Sequence, residues 1–212
     1  MKRLLLLLIT CVFFFFVQCT TSDNAYSQKE LTVVNRTLSD YASEGGSAVE
    51  MDAKAGDGLV ILNEIEFETG TIEIDLLGEN NPGQSFIGIA FNIQNDSTYE
   101  AIYFRPFNFV AEEQIRREHM VQYIFHPEYG WNRLRKERTA EFEAEIPNPP
   151  NPDEWFGAII TVTNDRVQVR LSKTGEPVLD VARLSGTTSN KIAYWVGHNS
   201  SGRFDNLKIK NN

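Results

Sequence analysis

Residues 71–105 read TIEIDLLGENNPGQSFIGIAFNIQNDSTYEAIYFR. Three runs that alternate apolar and polar residues, 71–77, 86–94 and 99–105, are separated by clusters of Gly, Asn, Asp and Pro. Strand side chains point to opposite faces in turn, so a period of two predicts strands and the clusters predict turns. In the first run Ile72, Ile74 and Leu76 share one face, and Glu73 and Asp75 share the other. In the second, Ile87, Ile89, Phe91 and Ile93 oppose Gly88, Ala90, Asn92 and Gln94. If these strands are neighbours, Gly88 and Ala90 floor a shallow groove edged by Asp75, Asn92 and Gln94. Such a groove suits sugar hydroxyls, although an ordinary solvent-facing sheet would show the same pattern.

The same patterning extends outward to 32–38, 48–53, 59–62, 119–126, 141–146, 158–163, 166–172, 178–184, 191–196 and 204–209. Only 110–118 (VAEEQIRRE) has helix-forming composition, enough for one or two turns. The loops 78–83 and 163–165 carry the Gly, Asn and Asp of hairpin turns. Residues 147–152 (PNPPNP) hold half of the prolines and predict a stiff surface crossing. The fold class expected is an all-β, two-sheet antiparallel sandwich with one short helix at most.

Lys2 and Arg3 precede an apolar stretch from Leu4 to Val17, which reads as a secretory leader. It is too short for the roughly 20 apolar residues of a membrane-spanning helix. Cleavage after Ser27 would leave Gln28 as the first residue, giving a leader over 1–27 and one domain over 28–212. Cys19 offers a second reading, a lipoprotein leader ending before a lipidated thiol, although Gln18 is unusual in front of it. Either way the chain is exported: periplasmic, an outer-membrane lipoprotein or secreted. Its only membrane contact would be a lipid anchor at Cys19. The folded part holds no disulfide.

The formal charge is −9 and becomes more negative once Lys2 and Arg3 are removed. That balance disfavours nucleic acid as a partner. There is no His-Glu-x-x-His or Cys/His cluster, no Gly-x-Ser-x-Gly elbow and no Gly-rich phosphate loop. No cofactor is expected. A structural calcium on Asp57 or Asp205 is conceivable, but nothing has the density of an EF-hand loop, so no metal is assigned.

Residues 98–135 concentrate chemistry-bearing side chains. In 99–105, Tyr99, Ala101, Tyr103 and Arg105 share one face, and Glu100, Ile102 and Phe104 the other. In 119–126, Gln122, Ile124 and His126 share a face. Arg105, with its planar five-donor fork, ends its strand before Pro106, and His126 ends its own before Pro127, so Arg105, Gln122 and His126 are candidates to converge. Trp131 offers a flat apolar platform for a sugar ring. Trp195 reads as core and His119 as structural.

The segments GTIEIDLLG (70–78), YEAIYFRPFNF (99–109), WFGAIITVTNDRVQVRLSKTGEPVL (155–179) and GRFDNLKIK (202–210) together resemble the concanavalin A-like lectin/glucanase jelly rolls of exported bacterial proteins. Within that group the chain is most similar to the 3-keto-disaccharide hydrolase domains of Bacteroidetes. The resemblance implies two packed antiparallel sheets with a carbohydrate site on the concave face. Relatives in glycoside hydrolase family sixteen carry a Glu-x-Asp-x-Glu or Glu-x-Asp-x-x-Glu strand. Glu73-Ile74-Asp75 matches its first part, but the last Glu falls on Leu77 or Gly78. Retaining hydrolysis needs two carboxyls about 5–5.5 Å apart, so this strand alone does not make such an enzyme.

Three functional readings follow. The first is a monomeric domain binding a glycan or small glycoside through Glu73, Asp75, Asn92, Arg105, Gln122 and Trp131. The second is a glycoside-cleaving enzyme of the 3-keto-disaccharide hydrolase type, with His126 or Glu100 as the catalytic base. The third is a non-catalytic interaction module of an envelope complex.

Overall fold

The computed structural model describes residues 30–43, 48–171 and 175–212. In chain order the strands are β1 (Leu31–Val34), β2 (Leu38–Asp40), β3 (Val49–Met51), β4 (Gly58–Glu66), β5 (Gly70–Leu77), β6 (Ile87–Asn95) and β7 (Thr98–Phe104). A short helix α1 (Gln114–Arg117), β8 (Val121–His126), helix α2 (Trp131–Glu137) and β9 (Glu143–Ala144) follow. The chain ends with β10 (Phe156–Val162), β11 (Arg166–Leu171), β12 (Leu179–Ala182), β13 (Lys191–Val196) and β14 (Gly202–Asn211). One sheet has the order β1-β4-β13-β6-β7-β8-β9 and the other β12-β11-β10-β5-β14-β3-β2. Pairing between named strands is antiparallel throughout the described residues. The leader, with Cys19 and the boundary at Ser27, lies outside the described residues.

The alternation explains the core. Ile72, Ile74 and Leu76 of β5 are buried, as are Ile87, Ile89 and Phe91 of β6, and they belong to one hydrophobic cluster between the sheets. Aromatic rings contribute to the same interior. Phe104 meets Phe156 with centroids 5.2 Å apart, and Tyr194 stacks on Phe204 at 4.6 Å.

Three expectations are corrected. The strand foreseen over 32–38 is two strands, one in each sheet, because Asn35 takes a left-handed backbone (φ 52°) that breaks the extended run. Its amide donates to the Ala55 and Asp57 carbonyls at 2.8 and 3.0 Å, and Arg36 donates to those of Gly56 and Gly197 at 2.7 and 2.8 Å. Secondly, β5 and β6 lie in different sheets, so 78–83 carries the chain across the sandwich and is not a hairpin. The proposed groove shared by Asp75, Asn92 and Gln94 therefore does not form. Thirdly, α2 was not foreseen. The tract WNRLRKE has good helix formers in Leu, Arg, Lys and Glu, and its last turn places Arg135 and Lys136 favourably against the helix dipole.

Candidate functional site

The outer face of the first sheet, away from the second, carries a pocket of about 760 Å³. Its floor follows from register. Tyr103 on β7 lies opposite Gly88 on β6, which lies opposite Trp195 on β13. With no side chain between them, the two rings meet at 4.9 Å. Phe86 packs edge-on against both Tyr103 and Phe107, at 6.2 and 5.5 Å. One step further along, Ala101 faces Ile124, and beyond them Tyr99 faces His126. Helix α2 supplies a wall: Trp131 and Arg135 are four residues apart, hence on one helix face, and the guanidinium lies 5.1 Å from the indole centroid.

At one end of the floor is a buried polar cluster. Gln122 faces Tyr103 across β7–β8 and Glu143 across β8–β9. Its Oε1 accepts from the Tyr103 hydroxyl at 2.9 Å and from Arg105 Nη2. Arg105, 5 % exposed, also donates from Nη2 to the Tyr103 hydroxyl at 2.8 Å and from Nη1 to the His119 carbonyl at 2.9 Å. Glu143 lies among three basic side chains: Arg135 donates to both its oxygens at 2.9–3.1 Å, His119 Nδ1 lies 2.8 Å from Oε2, and Arg105 Nη1 lies 3.9 Å away. Burial lowers the pKa of Arg105, and the nearby Arg135 acts in the same direction. Burial also lowers that of His119, opposed by Glu143 and reinforced by Arg135 and Arg105.

At the other end, Trp195 Nε1 donates to the Tyr99 hydroxyl at 3.1 Å, and that hydroxyl donates to Asp57 Oδ2 at 2.8 Å. Burial, and then the Asp57 charge, push the Tyr99 pKa up. The His126 ring stacks on Tyr99, centroids 5.2 Å apart, and its Nδ1 lies 2.8 Å from the Ser97 carbonyl. A carbonyl only accepts, so Nδ1 carries the proton and neutral His126 keeps a lone pair on Nε2. At His198 the assignment is reversed: Nδ1 accepts from the Gly56 N–H at 2.9 Å. All three histidines of the chain line the pocket.

The structure brings Arg105 and Gln122 into contact. It places His126 on the same face but four residues along β8 from Gln122, roughly 13 Å at strand rise. Trp131, 52 % exposed, stands on the pocket wall. Glu73 and Asp75 lie on the outer face of the second sheet, with the core between them and the pocket. Asp75 accepts from Asn206 Nδ2 at 2.8 Å, and Glu73 is exposed. Glu100 points into the sandwich, fully buried, and both its oxygens accept from Arg183 Nε at 2.9–3.0 Å. Asn92 also turns inward, its backbone left-handed (φ 50°) at an irregularity between Phe91 and Asn95. Its Nδ2 donates to Ser185 Oγ and the Thr187 carbonyl at 3.1 and 2.9 Å.

Sequence reasoning missed Glu143 and Arg135, and it read Trp195 as core alone. Glu141, Glu143 and Glu145 alternate with Phe142, Ala144 and Ile146, and this pattern is the signal that puts Glu143 on a polar strand face. Trp195 is 3 % exposed, yet its indole N–H serves the polar end of the pocket. Of the calcium candidates, Asp57 is engaged by Tyr99 and Asp205 accepts from Ser43 Oγ at 2.9 Å. Among the described residues no group of three or more His, Cys, Asp or Glu is placed to hold a metal ion.

No protein-family model and no curated protein matches the chain. Solved structures do. The carbohydrate-binding module CBM66 from Bacillus subtilis aligns over 85 % of this chain and 95 % of its own, at 16 % identity and a TM-score of 0.60. The exoplasmic/lumenal domain of VIP36, solved in a Ca2+/Man3GlcNAc-bound form, aligns over 88 % of both chains at 12 % identity and 0.53. A Bacillus subtilis protein of unknown function with a galectin-like fold aligns over 85 % of this chain and 89 % of its own, at 10 % identity and 0.53. At such identities the likeness is one of architecture: the chain folds as a lectin-like jelly-roll β-sandwich.

Proposed function

We propose that the chain binds carbohydrate in the pocket on the outer face of the first sheet. The observation that carries this reading is Trp131, a half-exposed indole held on the pocket wall with Arg135 against it. An exposed indole presents a flat apolar face with one donor, and a sugar ring offers an apolar face of matching shape. Arg105, His126 and Asp57 supply donors and acceptors for hydroxyls around that platform. The module from Bacillus subtilis and the mannoside-bound VIP36 domain are similar in fold and bind carbohydrate by their descriptions. Export through the leader over 1–27 fits such a role.

Titration of the purified protein against a glycan panel tests this. Binding to at least one glycan is expected, with Trp131→Ala weakening it about tenfold or more. Absence of binding across the panel would sink the reading.

A second reading, cleavage of an oxidised glycoside of the 3-keto-disaccharide type, is favoured by the His126 tautomer. A 3-ketone acidifies the proton on the neighbouring C2. His126 Nε2 would take that proton, the C–H electrons would form a C1=C2 bond, and the C1–O bond would break, its electron pair leaving with the aglycone oxygen, which takes up a proton from water to leave as the alcohol. Glu100, buried on the opposite face and paired with Arg183, does not share this pocket. If a 3-keto-glucoside yields its aglycone equally fast with His126→Ala, His126 is not the base.

A further inference from the structure

The cluster around Glu143 holds more cationic donors than acceptors. Arg105 and Arg135 are both cations, and among the described residues Glu143 is the one carboxylate within 4 Å of either; His119 Nδ1 lies 2.8 Å from it but is left without a hydrogen-bond partner. Arg105 is 5 % exposed and Glu143 6 %, so within this buried pair water does little to disperse charge, while Arg135 stays partly open to the pocket. The hydrogen bonding shows the same imbalance. Among the described residues neither Arg105 Nε nor Arg135 Nη1 has an acceptor, and Gln122, wholly buried, leaves its Nε2 without one. The Gln122 amide cannot be turned round to relieve this, because its Oε1 already accepts from Arg105 and Tyr103.

Nothing else on the pocket wall supplies the missing negative charge. Arg116 adds another guanidinium, and its donors go to Asn108, Phe107 and Glu113. Asp57 is the one carboxylate among the lining residues; it precedes β4, three strands across the sheet from β7, and it accepts from the Tyr99 hydroxyl. Over the whole chain the balance is the reverse, with 29 acidic against 20 basic residues. The basic wall is thus a local construction and not a sample of a basic surface.

We propose that the pocket takes a glycan bearing an anionic substituent, a carboxylate or a sulfate ester, with that group seated against Arg105 and Arg135. This rests on the carbohydrate-binding reading above. Guanidinium forks match the geometry of such oxyanions, and charge-assisted hydrogen bonds are about twice as strong as neutral ones. The anion would accept from Arg105 Nε and Arg135 Nη1 and bring the cluster to charge balance. The neighbouring Trp131 would stack on the ring that carries the anionic group, since Arg135 touches both.

Calorimetric titration of the purified protein with three matched ligands tests the inference. They are a glucuronate-containing oligosaccharide, its carboxyl-reduced counterpart of the same linkage, and the O-sulfated form of that neutral counterpart. At least one anionic ligand should bind about tenfold more tightly than the neutral one, and the stronger arm tells carboxylate from sulfate. Arg135→Gln, on a half-buried helix position and not in the core, should erase most of that preference, while Arg135→Lys should keep part of it. Equal affinity for all three ligands overturns the inference and leaves carbohydrate binding standing. A preference that survives Arg135→Gln places the anion elsewhere and also overturns it. No binding of any of the three, when other glycans on the panel do bind, counts against it in the same way. No binding of any glycan removes the underlying reading as well.

Discussion

Tyr103 and Trp195 meet over Gly88, so the aromatic floor of the pocket depends on a residue with no side chain. A Cβ at that position would lie 2.0 Å from the Ile102 carbonyl oxygen and 2.7 Å from Tyr103 Cα, and both are backbone atoms of the adjoining strand. Gly88→Ala should therefore push β6 and β7 apart and cost about 1–3 kcal/mol. Urea denaturation reads this directly. An unchanged midpoint would mean that the strands yield without cost and that the glycine is not needed.

Glu143 is the carboxylate that Arg105, Arg135 and His119 all approach within 4 Å. Glu143→Gln keeps the shape and removes the charge, leaving two guanidinium groups without their counter-ion, one of them buried. Removing one partner of a buried pair typically costs about 3–5 kcal/mol. Glu73→Gln, at an exposed position on the opposite sheet, should stay within about 0.5 kcal/mol. Equal losses from the two substitutions would show that the cluster adds nothing to stability.

His119 gives the fold a pH dependence of definite sign. Burial holds its folded pKa below the ordinary 6.5, against the pull of Glu143. The unfolded chain therefore binds the proton more readily. The His119 contribution is complete above pH 6.5 and is lost as the pH falls through the lowered folded value. Stability measured from pH 8 downward should decline in that window, and His119→Gln should flatten this part of the curve. A decline of the same slope in the variant would assign it to other groups.

The fold was legible because its signal is local. The alternation in β5 and β6 marks which residues face the core, and Lys191–Val196 has the bounds that its pattern implies. Sheet membership was not legible. Nothing in residues 78–83 distinguishes a hairpin from a crossing, and that choice separates Asp75 from Asn92 by the whole interior. Asn92 illustrates a second limit. Strict alternation puts it outside, but a single left-handed residue turns its side chain inward to Ser185 and Thr187. Arg105 and Gln122 could be matched because Arg105 follows directly on β7, whose register with β8 is regular. Glu143 joins them through β9, whose alternation is visible over 141–146 but whose pairing with β8 is not. Arg135 depends on a helix whose place against the pocket is decided by tertiary packing.

Two polar groups of the pocket wall, Asp57 just before β4 and Arg105 just after β7, lie three strands apart in one sheet. The distance between them is therefore set by backbone repeat and not by side-chain choice. For the proposed glycan, the sheet would act as a gauge, sorting ligands by reach before any individual hydroxyl is read.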